Sequence, residues 1–330
     1  MRGSFVGVDL GGTKVAAASL AEGELGESVV WPTDLSNSQA VVSQLADLVT
    51  EATPGRLDAV GVGIPSVVEF ESGRAVSSVN VPLADVPLRR VLGERLGVPV
   101  FVDNDATVAA LAEAHDENLR LVARNLVMLT VGTGVGGGLV LGGRIYRGST
   151  GGAGELGHTI IGLGLQGEED VPPAGEFPQA GSLEAVGAGL ALDRFANETA
   201  RLYPESTLGR LAAEGKTPTG GDAVAAAKAG DEAARHTVRA WAERVGIGVA
   251  NAINTFDPDE VVLGGGAALA GELLLGPAAE VARAYAHPGL ADHANIRLAR
   301  HGIRAGVLGA ALLAQHEVEH TAERSATEVS

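Results

Sequence analysis

FVGVDLGGTKVAAASL, residues Phe5 to Leu20, places two apolar runs around a polar turn, Asp9-Leu10-Gly11-Gly12-Thr13-Lys14. The design recurs in LVMLTVGTGVGGGLVL, Leu126 to Leu141, around Thr130-Val131-Gly132-Thr133-Gly134. In each, the glycine turn lies between two strands instead of opening a helix, so its amide N–H groups and a threonine hydroxyl can face one anion together. Two such turns, one per half, predict a duplicated α/β fold that grips the β- and γ-phosphates of a nucleotide from both sides of a cleft.

Other readings of the turns fit less well. A Walker loop needs Gly-Lys-Ser/Thr, and the order here is Gly12-Thr13-Lys14. Gly132, Gly134 and Gly137 match GxGxxG, but a dinucleotide fingerprint needs a helix next, and Gly138 to Val140 followed by Gly142-Gly143 reads as a strand and a hairpin turn. Hairpins without a ligand would explain the glycines. They would not explain Asp9, Thr13 and Thr133.

Composition sets outer limits. A chain of 330 residues is about twice the usual domain length, so two domains are expected, each with its own core. The interior must be built from Ala, Val, Leu and Gly, since 45% of residues are hydrophobic and only 3% aromatic. A net charge of −17 argues against nucleic-acid or anionic-membrane partners, which need a basic surface. Lys14, Lys216 and Lys228 are the only lysines, and the absence of cysteine removes disulfides, thiolate metal sites and thiol nucleophiles. The start shows no signal-peptide core and no apolar run reaches membrane-spanning length, so a soluble, cytoplasmic protein is expected.

Strand and helix patterns alternate along the chain. Val29 to Thr33, Asp58 to Ile64 and Pro99 to Val102 read as strands, and Gln39 to Thr53, Leu88 to Leu96 and Ala106 to Ala114 as helices. This gives a βββαβαβα-like domain over 1–115. A second domain over 116–303 restarts at Leu126 and carries single helices over Leu183 to Tyr203 and Asp231 to Phe256, then a strand from Glu260 to Leu263 and a further helix. A helix near 304–318 is expected to pack back on the first domain. Gly162 to Gly181 is a Gly-, Pro- and acid-rich loop.

Five motifs occur in order: Val8 to Lys14, Gly61-Val62-Gly63-Ile64-Pro65, Asp103-Asn104-Asp105-Ala106, Leu129 to Gly138, and Gly154-Glu155-Leu156-Gly157-His158. Together they resemble the ROK family of sugar kinases, and most of all its bacterial glucokinases, over essentially the whole chain. The resemblance implies two actin/hexokinase-like (ribonuclease H-like) domains of duplicated topology flanking a cleft. It also implies ATP and Mg²⁺ as cofactors and a homodimer or higher homo-oligomer. The family includes transcriptional repressors with a helix-turn-helix ahead of this fold. Here the first turn begins within ten residues, so no such helix-turn-helix is expected.

By position, Asp105 reads as a helix N-cap. By resemblance it is the base that takes the proton from the attacking hydroxyl, a role suited to phosphoryl transfer, and strand alternation sets Asp103 aside. The resemblance further assigns Asn80, Asn104, Glu155, His158 and Glu184 to sugar hydroxyls, although Glu184 also suits an ordinary helix first turn. Gly11, Gly12, Thr13, Gly132, Thr133 and Gly134 would hold phosphate, and Gly264, Gly265 and Gly266 would approach the adenosine. Lys14 is either a phosphate cation or a turn residue, and Asp9 would hold Mg²⁺ through water.

Most of these kinases place three zinc-binding cysteines between the His and the downstream Glu. This chain has Gly162-Leu163-Gly164-Leu165-Gln166-Gly167 and then an acidic stretch. No zinc site is expected, since one His with carboxylates binds zinc weakly; Glu168, Glu169 and Asp170 could take a divalent ion but read better as solvated charge. Leu163, Leu165, Val171 and Phe177 are expected to dock on the helix starting near Leu183. The activity expected is ATP-dependent 6-phosphorylation of glucose. N-acetylmannosamine, fructose, allose or mannose as substrate, polyphosphate as donor, or a non-catalytic sugar sensor remain open alternatives.

Overall fold

The computed structural model describes residues 3–53, 55–78, 80–165 and 169–328. The chain forms two compact units, one of Met1–Arg124, Gly138–Gly154 and Arg300–Ser330, the other of Asn125–Gly137 and Glu155–Ala299. Residues 115–123 stay with the first unit because His115 bridges Leu121 and the amides of Val122 and Ala123 both donate to the Ala114 carbonyl.

The first unit opens with β1 (Ser4–Leu10), β2 (Lys14–Ala21), β3 (Glu24–Leu25) and β4 (Val29–Pro32). Then come α1 (Ser38–Ala52), β5 (Ala59–Ile64), a hairpin of β6 (Ser66–Glu69) and β7 (Arg74–Ser78), α2 (Leu88–Leu96), β8 (Val100–Asn104) and α3 (Asp105–Glu113). Its main sheet is ordered β3-β2-β1-β5-β8, with β4 also on β2. The first glycine turn closes the antiparallel β1/β2 pair at Leu10↔Val15, and β5 and β8 add in parallel.

Strand alternation divides the sheet's two faces. Val6, Val8, Leu10, Val60, Val62 and Ile64 point into a core shared with α1, whose Val41, Leu45, Leu48 and Val49 fall on one helical face. Asn37 caps α1, its Oδ1 accepting from Ala40 N–H at 2.9 Å. Gly7 and Gly61 belong to the other face, and the backbone of the chain's last helix lies directly on them.

The second glycine turn joins β9 (Leu126–Val131) to β10 (Val135–Leu141), which crosses the unit boundary and pairs with β11 (Arg144–Ile145) in the first unit. The second unit then runs through α4 (Leu183–Gly187), α5 (Gly189–Leu202), α6 (Thr207–Ala213), α7 (Gly220–Lys228), α8 (Glu232–Phe256), β12 (Glu260–Gly264), α9 (Glu272–Tyr285), α10 (Pro288–Ala291) and β13 (Asn295–Leu298). β9 pairs in parallel with β12, and β12 with β13, as β1, β5 and β8 do in the first unit. α11 (Ala305–Glu328) returns to the first unit.

Two expectations change. Leu183 to Tyr203 is two helices, broken at Ala188 with ψ near 168°. Trp241 Nε1 satisfies the break by donating to the carbonyls of Gly187 at 2.7 Å and Ala188 at 3.2 Å. The loop apolar residues do not dock: Val171 and Phe177 are 68% and 73% exposed, and Leu163 and Leu165 are exposed too. Backbone bonds from the amides of Ile161 and Gly162 to Gly181 O fix the loop's ends instead. Gln166, Gly167 and Glu168 lie outside the described residues. The β6/β7 hairpin and helices α6 and α7 have no counterpart in the sequence reading.

Candidate functional site

In the first unit the chemistry gathers at the ends of β1 and β8. Asn104, not Asp105, caps α3: its Oδ1 accepts from the amides of Ala106 at 2.9 Å and Thr107 at 3.1 Å. Asp105 is therefore the first helical residue and is spared the capping role, although its Oδ1 takes the Ala106 N–H at 2.8 Å. Burial raises its pKa to about 6, and the charge of Asp9 pushes in the same direction. Burial also raises the pKa of Asp9, partly offset by the Lys14 ammonium.

Asp103 is committed elsewhere. It is 2% exposed and Arg147 Nε donates to its Oδ2 at 2.6 Å, while Arg147 also pairs with Glu317 at 3.2 Å. Burial raises the pKa of Asp103 and the Arg147 guanidinium only partly offsets it, so what sets Asp103 apart is that its Oδ2 is already occupied by Arg147 Nε.

The first glycine turn is braced from outside. Gly11 N–H donates to Lys14 O at 2.9 Å, and Thr33 Oγ1 donates to Gly11 O at 2.7 Å. Asn80 lies against this turn, with its Cβ 3.5 Å from where a Cβ on Gly12 would sit. Asn104 Nδ2 donates to Ser66 O at 3.3 Å, and the Ser66 hydroxyl is buried without a hydrogen-bond partner among the described residues. Thr33 and Ser66 escaped the sequence reading. The only signal for Ser66 was its position directly after Pro65, the end of the second of the five motifs.

In the second unit, Gly132 N–H donates to Gly134 O at 2.9 Å, closing the turn, and Gly132 O accepts from Gly189 N–H at 2.7 Å. The break at Ala188 thus brings the start of α5 to this turn, and α5 carries no side-chain cap there. A helix N-terminus beside a glycine turn suits a phosphate. Glu184 is at the same turn, its Oε2 accepting from Val135 N–H at 2.8 Å. Gly265, at φ +76°, lies so close to Val131 that a Cβ would overlap its backbone.

Gly132, Thr133 and Gly266 also line a cavity of about 580 Å³ whose walls come from α5, α7 and the turn Gly266–Ala270. The sequence reading named the glycines and missed the helical walls, which come from segments far apart in the chain. Glu155 precedes the single helical turn Leu156–His158, and its Oε2 is 3.7 Å from His158 Nε2. The His158 ring meets the Phe177 edge at 5.2 Å, and its Nδ1 is buried with no partner among the described residues. Among those residues, no three His, Asp or Glu side chains gather as a metal group.

A model of the ROK family matches residues 5–317, and the chain belongs to that family. It is 34% identical to a glucokinase of Halalkalibacterium halodurans, over 98% of each chain. Among solved structures it resembles a ROK family glucokinase of Streptomyces griseus in complex with glucose and AMPPNP, at 31% identity and TM-score 0.76, covering 95% of this chain and 100% of that one. The ROK hexokinase of Thermus thermophilus is 37% identical, with TM-score 0.77 and coverage of 96% and 99%. The fold is that of the actin/hexokinase-like sugar kinases.

Proposed function

We propose that this chain is an ATP-dependent hexose kinase that phosphorylates glucose at its 6-hydroxyl. The observation that carries the reading is Asp105: a carboxylate at a helix start, relieved of capping by Asn104, with its pKa raised to about 6. Such a group is ionised at neutral pH and remains basic enough to take the proton of an attacking hydroxyl. Relatives named glucokinase and hexokinase support the substrate class.

In the first unit Asn80 and Asn104 would hold sugar hydroxyls, and the orphaned Ser66 hydroxyl is suited to join them. In the second unit Glu155, His158 and Glu184 would do the same. Each glycine turn, the second together with the start of α5, would offer its amides to phosphate, and Gly264 to Gly266 with the cavity beside them would take the adenosine. Lys14 would lend a positive charge near the first turn, which it already exerts on Asp9.

Mg²⁺ binding fits Asp9, since this ion keeps most of its waters and needs only one or two carboxylates. A carboxylate that burial discourages from ionising is relieved by a cation. When bound, Mg²⁺ would neutralise charge on the transferring phosphoryl group.

A coupled assay with ATP, Mg²⁺ and a panel of hexoses tests the reading directly. Production of ADP with glucose is expected, and sugar binding without turnover on any hexose would instead mark a sensor. The rate should also report Asp105. Because the base must be ionised, kcat/KM should fall about tenfold per pH unit below about pH 6. A profile flat down to pH 5 would remove Asp105 from that role.

The missing cysteines give another outcome. With no thiolates in the chain, purified protein should hold well under about one zinc per chain. Treatment with a zinc-selective chelator followed by excess Mg²⁺ should leave activity unchanged. Stoichiometric zinc by elemental analysis, or activity restored only by zinc, would show that His158 and carboxylates bind it by other means.

A further inference from the structure

The cavity beside Gly132 and Thr133 constrains the nucleoside it can take, an inference that rests on the donor reading above. Its walls are aliphatic, with Leu190, Val224, Ala267 and Leu269 among the lining side chains. Leu190 and Leu269 are 52% and 81% exposed, apolar surface that a flat ring laid on them would cover. Of the polar side chains in the lining, Asp193, Trp241 and Lys228 already have partners, and Thr133 belongs to the glycine turn read as a phosphate site. Asp193 Oδ1 accepts from Gly220 N–H at 2.6 Å, and Trp241 Nε1 donates to Gly187 O. Lys228 Nζ donates to Leu269 O at 2.8 Å. Since Lys228 is the last residue of α7, that bond ties the helix to the turn Gly266–Ala270 along one side of the cavity.

We propose that Lys228 is a positioning residue that determines donor specificity. It straps the turn carrying Leu269 against the base, so the pocket holds a purine by its faces without reading its edge. Adenine and guanine present similar faces and are then accepted alike. A pyrimidine covers less of the aliphatic wall and is disfavoured.

Donor kinetics on the full chain at saturating glucose test this. GTP and ITP should show kcat/KM within about tenfold of ATP, and CTP and UTP should fall at least about tenfold lower. Lys228→Met should raise KM for ATP and GTP alike, by about 3- to 10-fold, the scale of losing one exposed hydrogen bond. Its kcat and its KM for glucose should stay within about twofold. Lys228→Arg, which keeps a cation in reach, should remain near the parent, and Leu269→Ser, which keeps the carbonyl that Lys228 holds but removes apolar wall, should raise KM for ATP and GTP alike with kcat unchanged. A preference for ATP over GTP beyond about 100-fold would show that the base edge is read and overturn the proposal. An unchanged nucleotide KM in Lys228→Met would do the same. Titration with a fluorescent ATP analogue, displaced by each triphosphate, separates this from the kinase reading. Displacement by purines over pyrimidines without turnover would support the pocket and overturn the kinase, whereas no triphosphate binding at all would overturn both.

Discussion

Asp105→Asn should lower kcat by about 10²–10⁴-fold and at the same time make the folded chain more stable at pH 7. The loss follows from removing the proton acceptor, an interaction made mainly in the transition state, so glucose binding measured by calorimetry should survive. The gain follows from burial. A pKa of about 6 instead of 3.8 means that ionising Asp105 costs the fold up to about 3 kcal/mol. For a carboxylate raised in this way, the stabilisation of its protonated form is complete below pH 3.8 and lost as pH rises through 6. The wild-type chain therefore carries the cost at pH 7, whereas asparagine has no charge to bury. Thermal melts should show the variant ahead at pH 7 and level with wild type near pH 4. Activity near wild type would reject the base assignment, and a variant less stable at pH 7 would reject the account of the burial.

Gly61→Ala should have the largest structural effect, about 3 kcal/mol or more. The new methyl would overlap the Ala310 carbonyl in α11, which is backbone and cannot rotate away. Gly7 meets Val307 O in the same way, and a Cβ on Gly309 would strike Val108 O in α3. The contact is thus backbone on backbone along the helix and cannot be relieved by one rotamer change. Since Gly306 of α11 packs on Asp9, a shifted helix should disturb the Asp9 end of β1 as well. Chemical denaturation checks the loss. A Gly61→Ala chain within about 1 kcal/mol of wild type would show that α11 can move aside.

Both glycine turns were legible in the sequence because glycine and threonine between two apolar runs leave few other uses for that backbone. Asp105 was legible as a residue and ambiguous in role, since Asn and Asp are equally good caps and only geometry shows that Asn104 takes the task. The break at Ala188 was signalled by Gly187 and Gly189 on either side, but apolar periodicity continued through them and favoured one helix. What resolves it is long-range: the Trp241 indole and the Gly132 carbonyl, neither visible in a local window. The loop after His158 was misread for a related reason. Apolar residues are expected to be buried, yet Val171 and Phe177 lie in solvent, and nothing in their spacing separates the two outcomes. The cavity's walls come from α5, α7 and the Gly266–Ala270 turn, so local patterning could show only the glycines among them.

The return of α11 to the first unit also sets an order of events as the chain emerges from the ribosome. The second unit is nearly continuous and is complete at Ala299. The first unit begins earlier but waits for Arg300 onward, so the sheet face bearing Gly7 and Gly61 stays uncovered through most of synthesis. Domains usually fold as they are made, the earlier first; here the earlier one must finish last. The half carrying Asp9 and Asp105 would therefore be completed only after Arg300 onward has been made, and a nascent or nicked chain would already have its second unit while its first stayed unfinished.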